Sequence, residues 1–214
     1  MLNCIYLLAI TAEAMTGALA AGRRKFDMFG VLVIAFVTAL GGGTVRDIFL
    51  GHFPVAWTQH PAYLYLVLCA GLLTMLIAPY LRHLQTIFLV LDAMGLMAFT
   101  LIGCNVALTM EYRVPVVMMA GLATGIVGGI LRDVLCNRVP IVFRHEMYAS
   151  VSLLTAGLFL LLRSAGVDTD LNTAMSFMAG LSLRLTAIWR GWRLPVFALA
   201  QRSNAGGKRG ALHD

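Results

Sequence analysis

Seven ionisable side chains lie within or at the ends of long apolar runs: Glu13, Arg46, Asp47, Asp92, Arg132, Asp133 and Arg184. Two acid–base pairs directly follow glycine clusters, in Gly41-Gly42-Gly43-Thr44-Val45-Arg46-Asp47 and in Gly128-Gly129-Ile130-Leu131-Arg132-Asp133. Glycine holds a helix poorly, and an ionisable group at mid-membrane costs about 2.5–3.5 kcal/mol on insertion scales. Such stretches are tolerable at membrane depth only against protein or water. The chemistry on offer is electrostatic, not covalent. A break at the glycines would bare carbonyl oxygens able to coordinate a cation, and free amides able to meet a carboxylate or phosphate. The other role open to the glycines is close helix packing through small residues.

Gly42 to Asp47 and Gly128 to Asp133 match at one constant offset, which Pro54 and Pro140 share, so the two stretches are copies. Broken helices at the centre of an internal duplication point to a transport pathway. Aligning Ala12-Glu13-Ala14-Met15 with Leu91-Asp92-Ala93-Met94 gives each copy one carboxylate in its first helix. That alignment needs about seven extra residues in the loop around Asn105 to Val114. Two roles stay open for Glu13 and Asp92: a structural salt bridge to Arg46, Arg132 or Arg184, and the lining of a wet cavity. Each Arg-Asp pair reads as a local ion pair that closes a turn or caps a half-helix, with partners from other segments also within reach. Arg184 has no carboxylate within its own span, and either pairs across the bundle or snorkels to the cytoplasmic edge.

Soluble-enzyme motifs are absent: GGGTVRD lacks the GK[ST] of a phosphate loop, and no GxGxxG follows a strand. His52, His60, His83, His145 and His213 lack metal-ligand spacing, and no metal or cofactor is expected. Cys4, Cys69, Cys104 and Cys136 are widely spaced and read as packed thiols. An intramembrane aspartyl protease is disfavoured, because neither Glu13 nor Asp92 sits in a glycine-flanked motif suited to a catalytic pair. The chain is not expected to be an enzyme.

These residues need membrane helices to position them. Hydrophobic residues make up 60% of the 214 and charged ones 12%, and the mean hydropathy is +0.85. The expected class is an all-α polytopic membrane protein with about seven spans. The net charge of +6 is scattered through loops and the C-terminus, where it reads as a topology signal rather than a nucleic-acid surface. The expected spans are Asn3 to Ala21, Met28 to Leu50 with a break at Gly41 to Gly43, Ala62 to Tyr80, Thr86 to Cys104, Pro115 to Leu135 with a break at Gly128-Gly129, Met147 to Leu162, and Leu171 to Trp189. His52 to Pro61 is a polar turn. The units are a first three-helix repeat over 1–84, a second over 85–164, a seventh helix over 165–192 and a basic tail over 193–214. Loops after spans one, three and five hold Arg23, Arg24, Lys25, Arg82, Arg138 and Arg144, which puts the N-terminus outside and the C-terminus in the cytoplasm. Three spans per copy is an odd number, so the repeats are expected to be inverted, with Arg46-Asp47 toward the outer side and Arg132-Asp133 toward the inner.

The segments AEAMTGALAAGRRK, GGGTVRDIFLGHFP and GGILRDVLCNRVP resemble the bacterial inner-membrane family with two glycine-transporter domains, and the related prokaryotic trimeric intracellular cation (TRIC) channels. The resemblance extends to about Trp192. It implies a seven-helix protomer in a homotrimer, with a pore in each protomer between the second and fifth spans, kinked at Gly41, Gly42 and Gly43 and at Gly128 and Gly129. Val127 stands where the second copy would have its first glycine. The implied partners are membrane lipid and K+ or another small cation, with glycine or a similar solute as the alternative cargo.

Overall fold

The computed structural model describes residues 2–80, 83–144 and 147–192. The described residues form α1 (Leu2–Gly22), α2 (Met28–Leu50), α3 (Ala56–Gln59), α4 (Ala62–Ile77), α5 (Leu84–Thr109), α6 (Val114–Leu135), α7 (Ala149–Ser164) and α8 (Thr169–Arg190). Single 3-10 turns lie at Ala78–Tyr80 and Ile141–Phe143. The expected tail over 193–214, together with Arg82, His145 and Glu146, lies outside the described residues.

Local signals account for several helix ends. Asp27 caps α2 by accepting from Gly30 N at 2.7 Å, and Gly51 ends it in the left-handed region at φ 69°. Asp168 caps the start of α8, Gly191 closes its end, and Pro115 sits in the first turn of α6. The expected polar turn before α4 contains the one-turn helix α3. Among the described residues, five segments are long and apolar enough to cross a membrane: α1, α2, Ala62–Tyr80, α5 and α6. Helix α7 is apolar but only 16 residues long, and α8 buries Asn172, Thr173, Ser176 and Arg184.

Helix α1 is lined with buried alanines, Ala9, Ala12, Ala14, Ala18, Ala20 and Ala21. Small side chains let α2, α4 and α5 lie close against it. Helix α5 is enclosed by α1, α6, α7 and α8. The exterior carries large apolar side chains such as Phe29, Phe49 and Trp189, as suits hydrocarbon surroundings.

The breaks expected at Gly41 to Gly43 and at Gly128-Gly129 do not occur. Helices α2 and α6 run continuously through them. A mid-helix glycine costs only about 1 kcal/mol against alanine, and here the lack of a side chain is what lets the two helices cross. A Cβ on Gly42 would collide with the backbone oxygen of Thr124, and one on Gly128 with the backbone oxygen of Thr38. The first helices pack by the same rule. A Cβ on Gly17 would meet Thr38 Oγ1 and Ile34 O, and one on Gly103 would meet Thr124 Oγ1 and Ala120 O.

Every member of these contacts lies 86 residues from its counterpart: Gly17 and Gly103, Ile34 and Ala120, Thr38 and Thr124, Gly42 and Gly128. The copies are therefore in one register throughout, with no extra residues around Asn105 to Val114. This corrects the pairing of Glu13 with Asp92. In the observed register Asp92 corresponds to Tyr6, and Glu13 to Phe99.

Gly42→Val and Gly128→Val should each destabilise the bundle by about 1–3 kcal/mol through overpacking. Gly22→Ala, whose Cβ meets nothing within 4 Å, should be close to neutral. Unfolding in detergent followed by circular dichroism measures all three.

Candidate functional site

Each Arg-Asp pair sits near the C-terminal end of its helix, on consecutive residues, and bonds locally. Arg46 donates from Nε and Nη2 to Asp47 Oδ1 at 2.9 and 2.7 Å. Arg132 donates from Nε to Asp133 Oδ1 at 3.0 Å. The second oxygen of each aspartate reaches the chain beyond the helix: Asp47 Oδ2 accepts from Ala56 N at 3.2 Å, and Asp133 Oδ2 from Ile141 N at 3.0 Å. Each pair thus fastens the following loop to the helix end. A carboxylate that satisfies a guanidinium and a backbone amide together removes two buried donors from the unpaired set.

Around Arg132 the cluster is much larger. Arg132 is fully buried, and its Nη1 donates to Asp92 Oδ1 at 2.7 Å and to Thr16 Oγ1 at 3.1 Å. Glu13 Oε2 lies 3.9 Å from the same nitrogen. The guanidinium carbon stands 4.7 Å from the centre of the Phe88 ring, whose centre is also 5.2 Å from the guanidinium carbon of Arg23. Three buried carboxylates from α1, α5 and α6 therefore share one guanidinium. Among the described residues, Asp92 Oδ2 and Arg132 Nη2 have no hydrogen-bond partner.

The matching place in the first copy is built differently. Arg46 is as buried as Arg132 but has one carboxylate, Asp47, which also receives His52 Nδ1 at 3.1 Å. Where Arg132 meets Asp92 and Glu13, the first copy has Tyr6 and Phe99. With Gly43, Thr44 and Trp57 they help line a cavity of about 10 Å³, room for about one water. Trp57 Nε1 donates to Thr44 Oγ1 at 3.2 Å across its wall.

The structure brings Glu13, Asp92, Arg132 and Asp133 together and keeps Arg46 and Asp47 in a separate cluster. Arg184 is buried, not at an edge, and its guanidinium carbon lies 4.8 Å from the centre of the buried Tyr148 ring. Gly41, Gly43 and Gly129 stay helical, and Gly42 and Gly128 form the α2–α6 crossing. Among the described residues no three His, Cys, Asp or Glu side chains are arranged to hold a metal ion. Sequence reasoning passed over Thr16, Phe88, Tyr148 and Tyr6. Thr16 had a readable signal, one helical turn after Glu13 and so on the same face. The Thr38/Gly42 and Thr124/Gly128 pairs also had one, a small residue four positions before each glycine.

A bundle of apolar helices built from a duplicated unit, each half fastening a buried Arg-Asp pair to its loop, defines a polytopic membrane protein. The glycine transporter family model matches the chain twice, over residues 3–79 and 89–164, and the chain belongs to this family. It is 39% identical over 189 residues to the inner membrane protein YadS (UPF0126) of Escherichia coli K12, across 87% of this chain and 91% of that protein. Among solved structures it is similar to the TRIC trimeric intracellular cation channel orthologue from Rhodobacter sphaeroides, with a TM-score of 0.84 and 33% identity over 88% of this chain and 98% of the other. A structure described as a basis for conductance through TRIC cation channels matches with a TM-score of 0.82 and 30% identity, over 92% and 97% of the two chains.

Removing one partner of a buried ion pair costs about 3–5 kcal/mol. Arg132→Leu, which strands the carboxylates of Asp92 and Asp133 and leaves the Glu13 carboxyl beside them, should reduce stability by at least that amount. Arg46→Leu, which strands one carboxylate still bonded to an amide and near His52, should cost less. Unfolding transitions of the two purified variants give the ranking.

Proposed function

We propose that this protein is a cation channel of the bacterial inner membrane, conducting K+ or a similar monovalent ion through each protomer of a homotrimer, with α2 and α6 bounding the path. The observation that carries the reading is the similarity, over nearly the whole chain, to proteins described as TRIC cation channels, at 30% identity or more. The buried excess of carboxylates beside α6 supports it, since carboxylates attract cations where dielectric screening is weak.

The proposed topology is seven spans, as two inverted three-helix repeats over 1–84 and 85–164 followed by the helix within 165–192. The crossing of α2 and α6 supports the inversion: the later residue of one helix meets the earlier residue of the other, Gly42 with Thr124 and Gly128 with Thr38, the register of antiparallel neighbours. Arg24 Nη2 donates to the backbone oxygen of Asn137, which joins the basic loop after α1 to the loop after α6 that holds Arg138. Tyr112 hydroxyl donates to Leu50 O at 3.0 Å, joining the loops assigned to the other end. Basic residues gathered at one end favour a cytoplasmic position for it, with the N-terminus periplasmic.

The family description favours a second reading, transport of glycine or a similar small solute. Broken helices would have freed amides and carbonyls for such a solute and for a cation alike, and the continuity of α2 and α6 removes that support from both. In the channel reading Gly41, Gly42, Gly43, Gly128 and Gly129 mark where the two helices can shift against each other. Reconstitution in K+-loaded liposomes tests the proposal. The expected result is K+ efflux that does not saturate with concentration and is set by membrane potential. Absence of efflux at every voltage and pH, with saturable uptake of labelled glycine, would replace the channel with a transporter.

A further inference from the structure

The hydroxyl of Thr16 makes three close contacts. It lies 2.9 Å from the backbone oxygen of Glu13, 3.0 Å from Glu13 Oε2 and 3.1 Å from Arg132 Nη1. A hydroxyl has one hydrogen to give and two lone pairs to receive with. Arg132 can only donate, so it takes one lone pair. The two Glu13 oxygens then compete for a single hydrogen if the carboxyl is ionised, and one 3 Å oxygen–oxygen contact is left without a proton in the core. With a proton on Glu13 all three contacts are satisfied: Thr16 donates to the backbone oxygen, and receives from Arg132 Nη1 and from the Glu13 carboxyl.

The surroundings lead to the same assignment. Asp92 and Asp133 each hold a direct hydrogen bond from Arg132, at 2.7 and 3.0 Å, whereas Glu13 lies 3.9 Å away. The Glu13 carboxyl is pressed onto Gly95 of α5, where even a Cβ would collide with Oε1, so a proton fits there and a hydrated metal ion does not. The groups that face it are Asp92 from α5, Arg132 and Asp133 from α6, and Tyr148 before α7, against which Arg184 of α8 lies. Arg23 stands beyond Phe88. Helix α4 carries no charged residue, and Arg46 and Asp47 of α2 bond each other.

We propose that Glu13 is a proton-binding site in this arrangement, and that release of its proton adds a negative charge beside α6 that favours cation passage. The location of the proton stands on the contacts above; its effect on flux rests on the channel reading. Two measurements on the full-length protein in vesicles separate them. Infrared difference spectra between acid and alkaline buffer should show the C=O stretch of a protonated carboxylic acid at neutral pH, lost in Glu13→Gln and weakened in Asp92→Asn, where Arg132 Nη1 is freed for the Glu13 carboxylate. No such band, or a band that survives Glu13→Gln, overturns the site. K+ efflux from the same vesicles should rise several-fold as pH is raised, and Glu13→Gln should hold it at the low level without pH dependence. If Glu13→Gln keeps the parent pH profile, the regulatory role is overturned. If the parent protein passes no K+ at all, the channel reading fails while the infrared band still decides where the proton lies.

Discussion

One buried guanidinium organises much of this protein. Arg132 cannot lose its charge, and a bare ion of that size in a low-dielectric interior would cost several kcal/mol even after relaxation. Three helices answer it: α1 through Glu13 and Thr16, α5 through Asp92, and α6 through its neighbour Asp133. Asp133 carries the constraint onward to the loop before α7 by accepting from Ile141 N. Helix positions, loop closure and the electrostatics of one half of the bundle therefore follow from satisfying one side chain.

The duplicated unit reuses this device and then departs from it. Both copies keep the Arg-Asp clamp on the following loop: the arginine Nε donates to one aspartate oxygen and a loop amide to the other, Ala56 N in the first copy and, one place earlier in the register, Ile141 N in the second. They differ in what the first helix of each copy, and the one packed on it, presents to the arginine. Tyr6 and Phe99 leave Arg46 in a neutral pair beside a small cavity, whereas Asp92 and Asp133 together bring Arg132 more negative charge than it can balance, with the Glu13 carboxyl beside them. Two halves with one backbone plan thus have different electrostatic character.

Glycine serves both halves through closeness. At Gly42 and Gly128, and again at Gly17 and Gly103, the absent Cβ lets one helix lie directly on the backbone oxygens or threonine side chain of another. In hydrocarbon, where apolar side chains gain little from leaving lipid, dispersion at such contacts is a principal force between helices.

The sequence by itself determined the membrane class, the duplication, both Arg-Asp motifs and most helix ends, because these depend on composition, repetition and local capping chemistry. The caps at Asp27, Gly51 and Asp168 act within a few residues of themselves, so their signals are local. The tertiary structure alone decided that Glu13 and Asp92 converge on Arg132 and leave Arg46 to Asp47. Matching the two acids by residue type misread the register, since Asp92 occupies the place of Tyr6 and Glu13 that of Phe99. Tertiary structure also decided that the glycines join helices instead of breaking them. A glycine's backbone freedom is the same letter in either case, and only the presence of another helix within contact distance converts that freedom into packing.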